Sequence, residues 1–123
     1  MAEKYSYEDK IWGRVRHIFS SKHSAVSHLQ VKAGFRCSRH YHHERENLFA
    51  VLSGEIEVTE YHDDDVQIVT RLREGDIHEV EAGVLHQFRV VEDGEVIEVY
   101  SPAWPDAIVQ INDIVRLDEG GPV

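Results

Sequence analysis

His40 and His42 stand two residues apart just ahead of an apolar, strand-like run, and His86 follows a second turn signal further along the chain. Side chains of an extended strand alternate between faces, so His40 and His42 project to one side and Tyr41 to the other. Two imidazoles that converge on one point, joined by a third from a separate strand, are suited to a divalent transition metal. Such an ion takes neutral imidazole, and it uses three or four protein ligands when a position stays open for substrate. Asn47 is the candidate fourth ligand through its amide oxygen, because it shares a face with Phe49 and Val51. Glu46 is the alternative, available if the turn after His42 is short, although alternation aims it to the opposite side.

The elements that must carry these side chains read as strands throughout. Short apolar–polar alternations separated by turn signals recur near residues 15–19, 26–32, 37–42, 47–52, 55–61, 66–72, 77–80, 86–91 and 95–101. Ser53-Gly54 and Glu92-Asp93-Gly94 read as hairpin turns, and Asp63-Asp64-Asp65 as an exposed polar turn. Residues 113–117 are expected to form a short helical turn. His86 shares its face with Phe88 and Val90, so this pattern implies an all-β barrel or sandwich with the histidines turned inward.

The spacing also carries a resemblance. Gly34, His40-x-His42, Asn47 and Gly54 resemble the first motif of the cupin superfamily, here at residues 34–54. Gly75-Asp76 and Glu81-Ala82-Gly83-Val84-Leu85-His86 resemble the second, at residues 75–90. The resemblance implies a double-stranded β-helix, or jelly-roll barrel, as one domain over residues 1–123, with His40, His42 and His86 as metal ligands. Two positions depart from the family pattern. Asn47 stands where glutamate is usual, which removes a negative charge from the ligand set, and Glu81 stands where proline is usual.

A narrower resemblance covers nearly the whole chain. Lys10-Ile11-Trp12-Gly13, the two motifs and Asn112-Asp113-Ile114-Val115-Arg116-Leu117 are similar to the cupin domain of the bacterial type II mannose-6-phosphate isomerases and related small sugar isomerases. That family commonly has glutamine at the position of His40. The resemblance implies an aldose–ketose or sugar-phosphate isomerase in which Arg116 binds or polarises the sugar phosphate. A general base must move the proton between neighbouring carbons, and Glu46 and His78 are the candidates. The metal, whether Zn, Fe, Mn or Ni, would act as a Lewis acid. Two other readings compete: a three-histidine non-haem iron oxygenase, consistent with the neutral Asn47, and a non-catalytic ligand-binding cupin.

Composition bounds the rest. The 123 residues, 41% hydrophobic, suffice for one core and no second domain. A formal charge of −10 argues against nucleic acid as a partner and for a small-molecule substrate. No run is long and apolar enough to span a bilayer, so no membrane partner is expected. The polar start lacks the features of a signal peptide, and the single Cys37 precludes an internal disulfide, so a cytoplasmic location is expected. Arg36, Arg39 and Arg45 bracket the first histidine motif as cations suited to an anionic substrate, with Arg39 outside. His17, His23, His43 and His62 are expected at the surface, His28 in the barrel wall, and Trp12 and Trp104 in packing. A homodimer is expected through sheet edges, with Tyr41 and the segment before the first motif as contacts.

Overall fold

A computed structural model describes residues 1–123, except for the side chain of Asp64. Its strands are β1 (Ser6–Lys10), β2 (Gly13–Ser20), β3 (Ala25–Val31), β4 (Phe35–Arg36), β5 (His40–Tyr41), β6 (Arg45–Tyr61), β7 (Gln67–Arg73), β8 (Ile77–Val80), β9 (Leu85–Pro102), β10 (Val115–Arg116) and β11 (Gly121–Pro122). The 3₁₀ turn Asp63–Asp65 joins β6 to β7, as the polar run predicts. Among the described residues no helix is long and apolar enough to cross a membrane.

The frame is an antiparallel ribbon of two long strands, β6 and β9, paired from Arg45 opposite Pro102 to Tyr61 opposite Leu85. The free edge of β6 takes β8 along its first half and β7 along its second. The free edge of β9 takes β4 and β5 before Gly94, and β3 after it. Each long strand therefore belongs to both halves of a curled sheet. One apolar cluster fills the interior, drawing Val15 from β2, Leu29 and Val31 from β3, and Phe49, Val51, Ile56 and Val58 from β6. Leu72, Val80, Phe88, Val90 and Val96 complete it from β7, β8 and β9. Phe88 is its aromatic centre, edge-on to Trp12 at 4.9 Å and to Phe49 at 6.0 Å between ring centroids.

The two expected hairpin turns are instead the corner of this ribbon. β6 and β9 run straight through Ser53-Gly54 and Gly94, and their register slips between Val51 and Ile56. The slip switches the buried positions of β6 from odd (Arg45, Asn47, Phe49, Val51) to even (Ile56, Val58), so both halves face the same core. Glycine is required because the backbones touch. A Cβ on Gly94 would lie 2.0 Å from the Ser53 carbonyl oxygen, and Gly54 has φ +79°. A turn signal such as Ser-Gly cannot distinguish a hairpin from a bulge, since both use the same backbone freedom.

Two further differences concern the ends. Residues 113–117 form no helical turn: Val115–Arg116 is a strand, β10, which satisfies the open edge of β5 with Arg116 opposite His40. β1 has almost no buried position and hence no amphipathic alternation to reveal it, yet it pairs fully with β2.

Candidate metal centre and cavity

His40 lies on β5 directly opposite His86 on β9, with ring centroids 4.5 Å apart, and His42 follows β5 at 5.1 Å from His40 and 5.4 Å from His86. One ring nitrogen from each comes within 4.8 Å of the others, an arrangement that can hold a metal ion. The turn before β9, with Gly83 at φ +82° and its N–H donating to the His42 carbonyl, holds the two motifs together and forms with Glu81 in place of proline.

Backbone carbonyls fix the tautomer of all three rings. Nδ1 of His40 donates to Ser38 O at 2.8 Å, that of His42 to Asp113 O at 2.7 Å, and that of His86 to Val84 O at 2.8 Å. Arg45 Nε also lies 3.2 Å from Nδ1 of His42, but a carbonyl can only accept, so the shorter contact keeps the proton on Nδ1. Each Nε2 then presents a lone pair. Those of His42 and His86 are buried without a partner among the described residues, which is costly unless something is bound. Burial, followed by the charges of His86 and His42, pushes His40 down to about 3. Burial, followed by the neighbouring Arg45, pushes His42 down to about 3, and burial also lowers His86. All three are therefore neutral, as metal coordination requires.

Asn47 is 1% exposed and donates from Nδ2 to Glu98 at 3.3 Å, leaving its Oδ1 buried and without a partner among the described residues. That orphaned oxygen is the kind of donor a metal ion or bound water satisfies. A cavity of about 680 Å³ adjoins the centre, with His40 and Arg116 at its edge and β2, β3 and the second half of β9 as walls. Glu98 lines it. Burial raises the Glu98 carboxyl above its usual range, opposed by hydrogen bonds from Tyr100 and Asn47 and by Arg45.

Glu98 was legible from parity, since it shares even numbering with His86, Phe88 and Val96 on β9, but a lone glutamate in a strand does not announce itself. Arg45 sits not at the mouth but in the interior, 3.8 Å from the Tyr100 ring centroid and donating to Gln110 O at 2.6 Å. Its parity with Asn47 and Phe49 carried that signal. His17, expected at the surface, lines the cavity in step with Val15. His28 packs on the outer side near Glu95, and His23, His43 and His62 are exposed.

The other predicted site residues divide. Arg116 stands at the cavity edge, forms no salt bridge among the described residues, and its charge helps to lower His40 and His42. Arg36 and Arg39 are instead engaged by Asp118, at 3.9 and 2.7 Å. Glu46 faces away from Asn47. A hydrogen bond with Glu79 and partial desolvation raise it to about 7, and it has no part in the centre. His78 lies 3.0 Å from Glu60, the register partner of His86, so it stands behind the centre and does not line the cavity.

Comparison with known proteins places this geometry. The cupin domain family matches residues 27–100. No curated protein matches the chain. Among solved structures it is similar to oxalate decarboxylase from Bacillus subtilis at pH 4.6, with a TM-score of 0.77 and 19% identity over 92% of this chain and 30% of that one. A second structure, described by the Mn(II) centres of the same Bacillus subtilis enzyme, matches with a TM-score of 0.70 and 16% identity, over 87% of this chain and 30% of that one. At such identities the likeness shows the shared fold, and this chain spans less than a third of the decarboxylase.

Proposed function

This chain belongs to the cupin domain family, and on that premise we propose that it is a metal-dependent isomerase interconverting the aldose and ketose forms of a small, anionic, carbohydrate-like molecule. The observation that carries the reading is the set of converging buried imidazoles, with partnerless Nε2 atoms on His42 and His86, at the end of a cavity. His40, His42 and His86 would hold a divalent ion, with the Asn47 amide oxygen as fourth ligand. Zinc, iron, manganese and nickel are the ions to test, manganese also because the structurally similar decarboxylase is described by its Mn(II) centres. Bound there, the ion supplies Lewis acidity to a carbonyl and its adjacent hydroxyl.

The chain's own residues do the rest. Arg116, without a carboxylate partner among the described residues, takes the anionic end of the substrate at the cavity edge. Glu98 replaces Glu46 and His78 as the group that moves the proton between carbons: it removes it from the carbon beside the carbonyl and returns it to the former carbonyl carbon, while the proton of the adjacent hydroxyl passes to the former carbonyl oxygen, so no net proton is gained or lost. Burial favours the protonated form of Glu98 and so makes its carboxylate the stronger base. Arg45, buried beside Tyr100, offsets part of that carboxylate's charge.

One observation favours a second reading. The ligand positions contain no carboxylate, as in three-histidine iron sites that activate oxygen. The deciding assay incubates metal-loaded protein with aldoses, ketoses and their phosphates in deuterated water. Deuterium entering the carbon beside the carbonyl, lost in His86→Ala and reduced in Glu98→Gln, supports isomerisation. No exchange across the panel, with oxygen uptake by the iron-loaded protein, selects the oxygenase. Tight ligand binding with neither outcome selects a binding protein.

A further inference from the structure

The three converging histidines are not held alike. Nδ1 of His40 and of His86 each bond a carbonyl two residues back, Ser38 O and Val84 O, so their aim is set close to their own strands. His42 instead donates to Asp113 O at 2.7 Å, 71 positions further along the chain. With His43 and Glu44 it forms the turn between β5 and β6, outside both strands. Both oxygens of the Asp113 carboxylate accept from that turn, Oδ1 from the His43 N–H at 2.8 Å and Oδ2 from the Glu44 N–H at 2.9 Å. Arg45 follows by donating to Gln110 O. Residues 42–45 are thus fastened one after another to residues 110–113. The segment that supplies these acceptors packs little on its own account: Ala107 and Val109 are buried, whereas Ile108, Ile111 and Leu117 are exposed. Beyond Val109 it is held mainly by hydrogen bonds, three of them to Asp113. The same segment contributes Ile111, Asn112, Ile114 and Arg116 to the cavity wall, and it lies outside residues 27–100, the part that the cupin domain family matches.

We propose that Asp113 is the residue that positions His42 as a metal ligand, and that it makes metal binding and the seating of residues 110–117 against the cavity mutually dependent. A histidine ligand is oriented by the acceptor of its other ring N–H, and that acceptor raises the basicity of the coordinating nitrogen. An ion that draws on Nε2 in turn makes Nδ1–H a stronger donor, so the bond to Asp113 O tightens as the metal binds. The carboxylate is what holds this carbonyl at the ring. Its two bonds are charge-assisted, and a pair of them fixes both the place and the angle of the residue. Coupling of this kind is reciprocal: the factor by which a seated segment raises metal affinity is the factor by which the metal favours the seated segment. Metal-loaded protein then holds Ile114 and Arg116 in the wall before any substrate enters. The assignment rests on the reading of His40, His42 and His86 as a metal centre and is independent of the reaction that follows.

The test reads both directions of the coupling. Zinc affinity, measured by competition with a chromophoric chelator, compares wild type, Asp113→Ala, Asp113→Asn and Leu72→Ala. Asp113→Ala keeps the backbone carbonyl but loses its two anchors, and it is expected to bind zinc at least about tenfold more weakly. Asp113→Asn keeps one oxygen to accept one of the two N–H groups and should fall between. Leu72→Ala truncates the core on β7, away from the segment, so it reports lost stability alone and should bind zinc as wild type does. In the reverse direction, saturating zinc should slow hydrogen exchange of the His43 and Glu44 amides of wild type by the same factor of about ten, and leave those of Asp113→Ala unchanged. An affinity of Asp113→Ala within about twofold of wild type overturns the proposal, as does an equal loss in Leu72→Ala. Wild-type amides indifferent to zinc overturn it too. Should Asp113→Ala lose its cooperative thermal transition, Asp113→Asn and the wild-type exchange decide. Wild type that binds no zinc sinks the metal centre together with this assignment, whereas zinc binding indifferent to Asp113 sinks the assignment alone.

Discussion

Acidifying the metal-free protein should destabilise it, and the three buried histidines set the size of the effect. In the unfolded chain a histidine titrates near its ordinary value of about 6.5. In the fold, His40 and His42 are held down to about 3. The folded state therefore binds fewer protons than the unfolded state between those values, and stability falls as pH drops through that window, most of the loss beginning below about 6.5. From about pH 7 to about pH 5.5 each of these two groups costs roughly 1.3 kcal/mol, so the pair costs roughly 2.5 kcal/mol, and His86 adds to the loss in the same direction. Glu46 and Glu98 work the other way, since their raised values favour the folded state on acidification, and they offset part of this loss. At about 4 °C per kcal/mol for a domain of this size, the two histidines alone correspond to a drop of roughly 10 °C in the melting temperature of chelator-treated protein over that interval. The assay is differential scanning calorimetry of metal-free wild type and His40→Asn, whose drop should be smaller by about 5 °C. Equal drops in the wild type and His40→Asn would refute the claim that these imidazoles are folded as neutral, desolvated groups.

Metal content after loading should be about one ion per chain, removed by His86→Ala and lowered by about tenfold or more in affinity by Asn47→Ala, while Asn47→Glu should tighten binding by restoring a charge to the ligand set; elemental analysis and competition with a chromophoric chelator measure each. Full occupancy in both alanine variants would displace the site. Gly94→Ala should cost more than about 4 kcal/mol, because its Cβ would overlap the Ser53 carbonyl oxygen at the corner of the ribbon, and chemical denaturation measures the loss. Glu79→Gln should stabilise the protein at neutral pH by less than about 1 kcal/mol, through relief of its contact with Glu46, with no gain in acid where Glu46 is already protonated. We also propose a homodimer, joined through the open edge of β1, the terminal strand of its sheet path; a monomer mass by light scattering at tens of micromolar, about the range of a stable interface, would reject it.

Local spacing was enough to bring three histidines together. His40 and His42 fall on one face of any extended segment, and His86 is even-numbered on the strand that buries Phe88 and Val90, so alternation alone turned them inward. The same rule separated Asn47 from Glu46. What alternation lacks is any record of which strands become neighbours. Glu98 lies far along the chain from His17 and Ser27, and the three become neighbours only because β3 pairs with both β2 and β9. Arg45 reads as one of three cations beside the histidines until the packing seats it on Tyr100 and gives Arg36 and Arg39 to Asp118. At Ser53-Gly54 and Gly94 the sequence specifies permissive backbone, and the close approach of β6 to β9 decides that the result is a bulged corner in place of two hairpins. The amino-acid order thus determines which side chains face inward, a property of single strands with a period of two. The tertiary pairing determines which inward groups meet, because that depends on contacts between distant segments that no local period encodes.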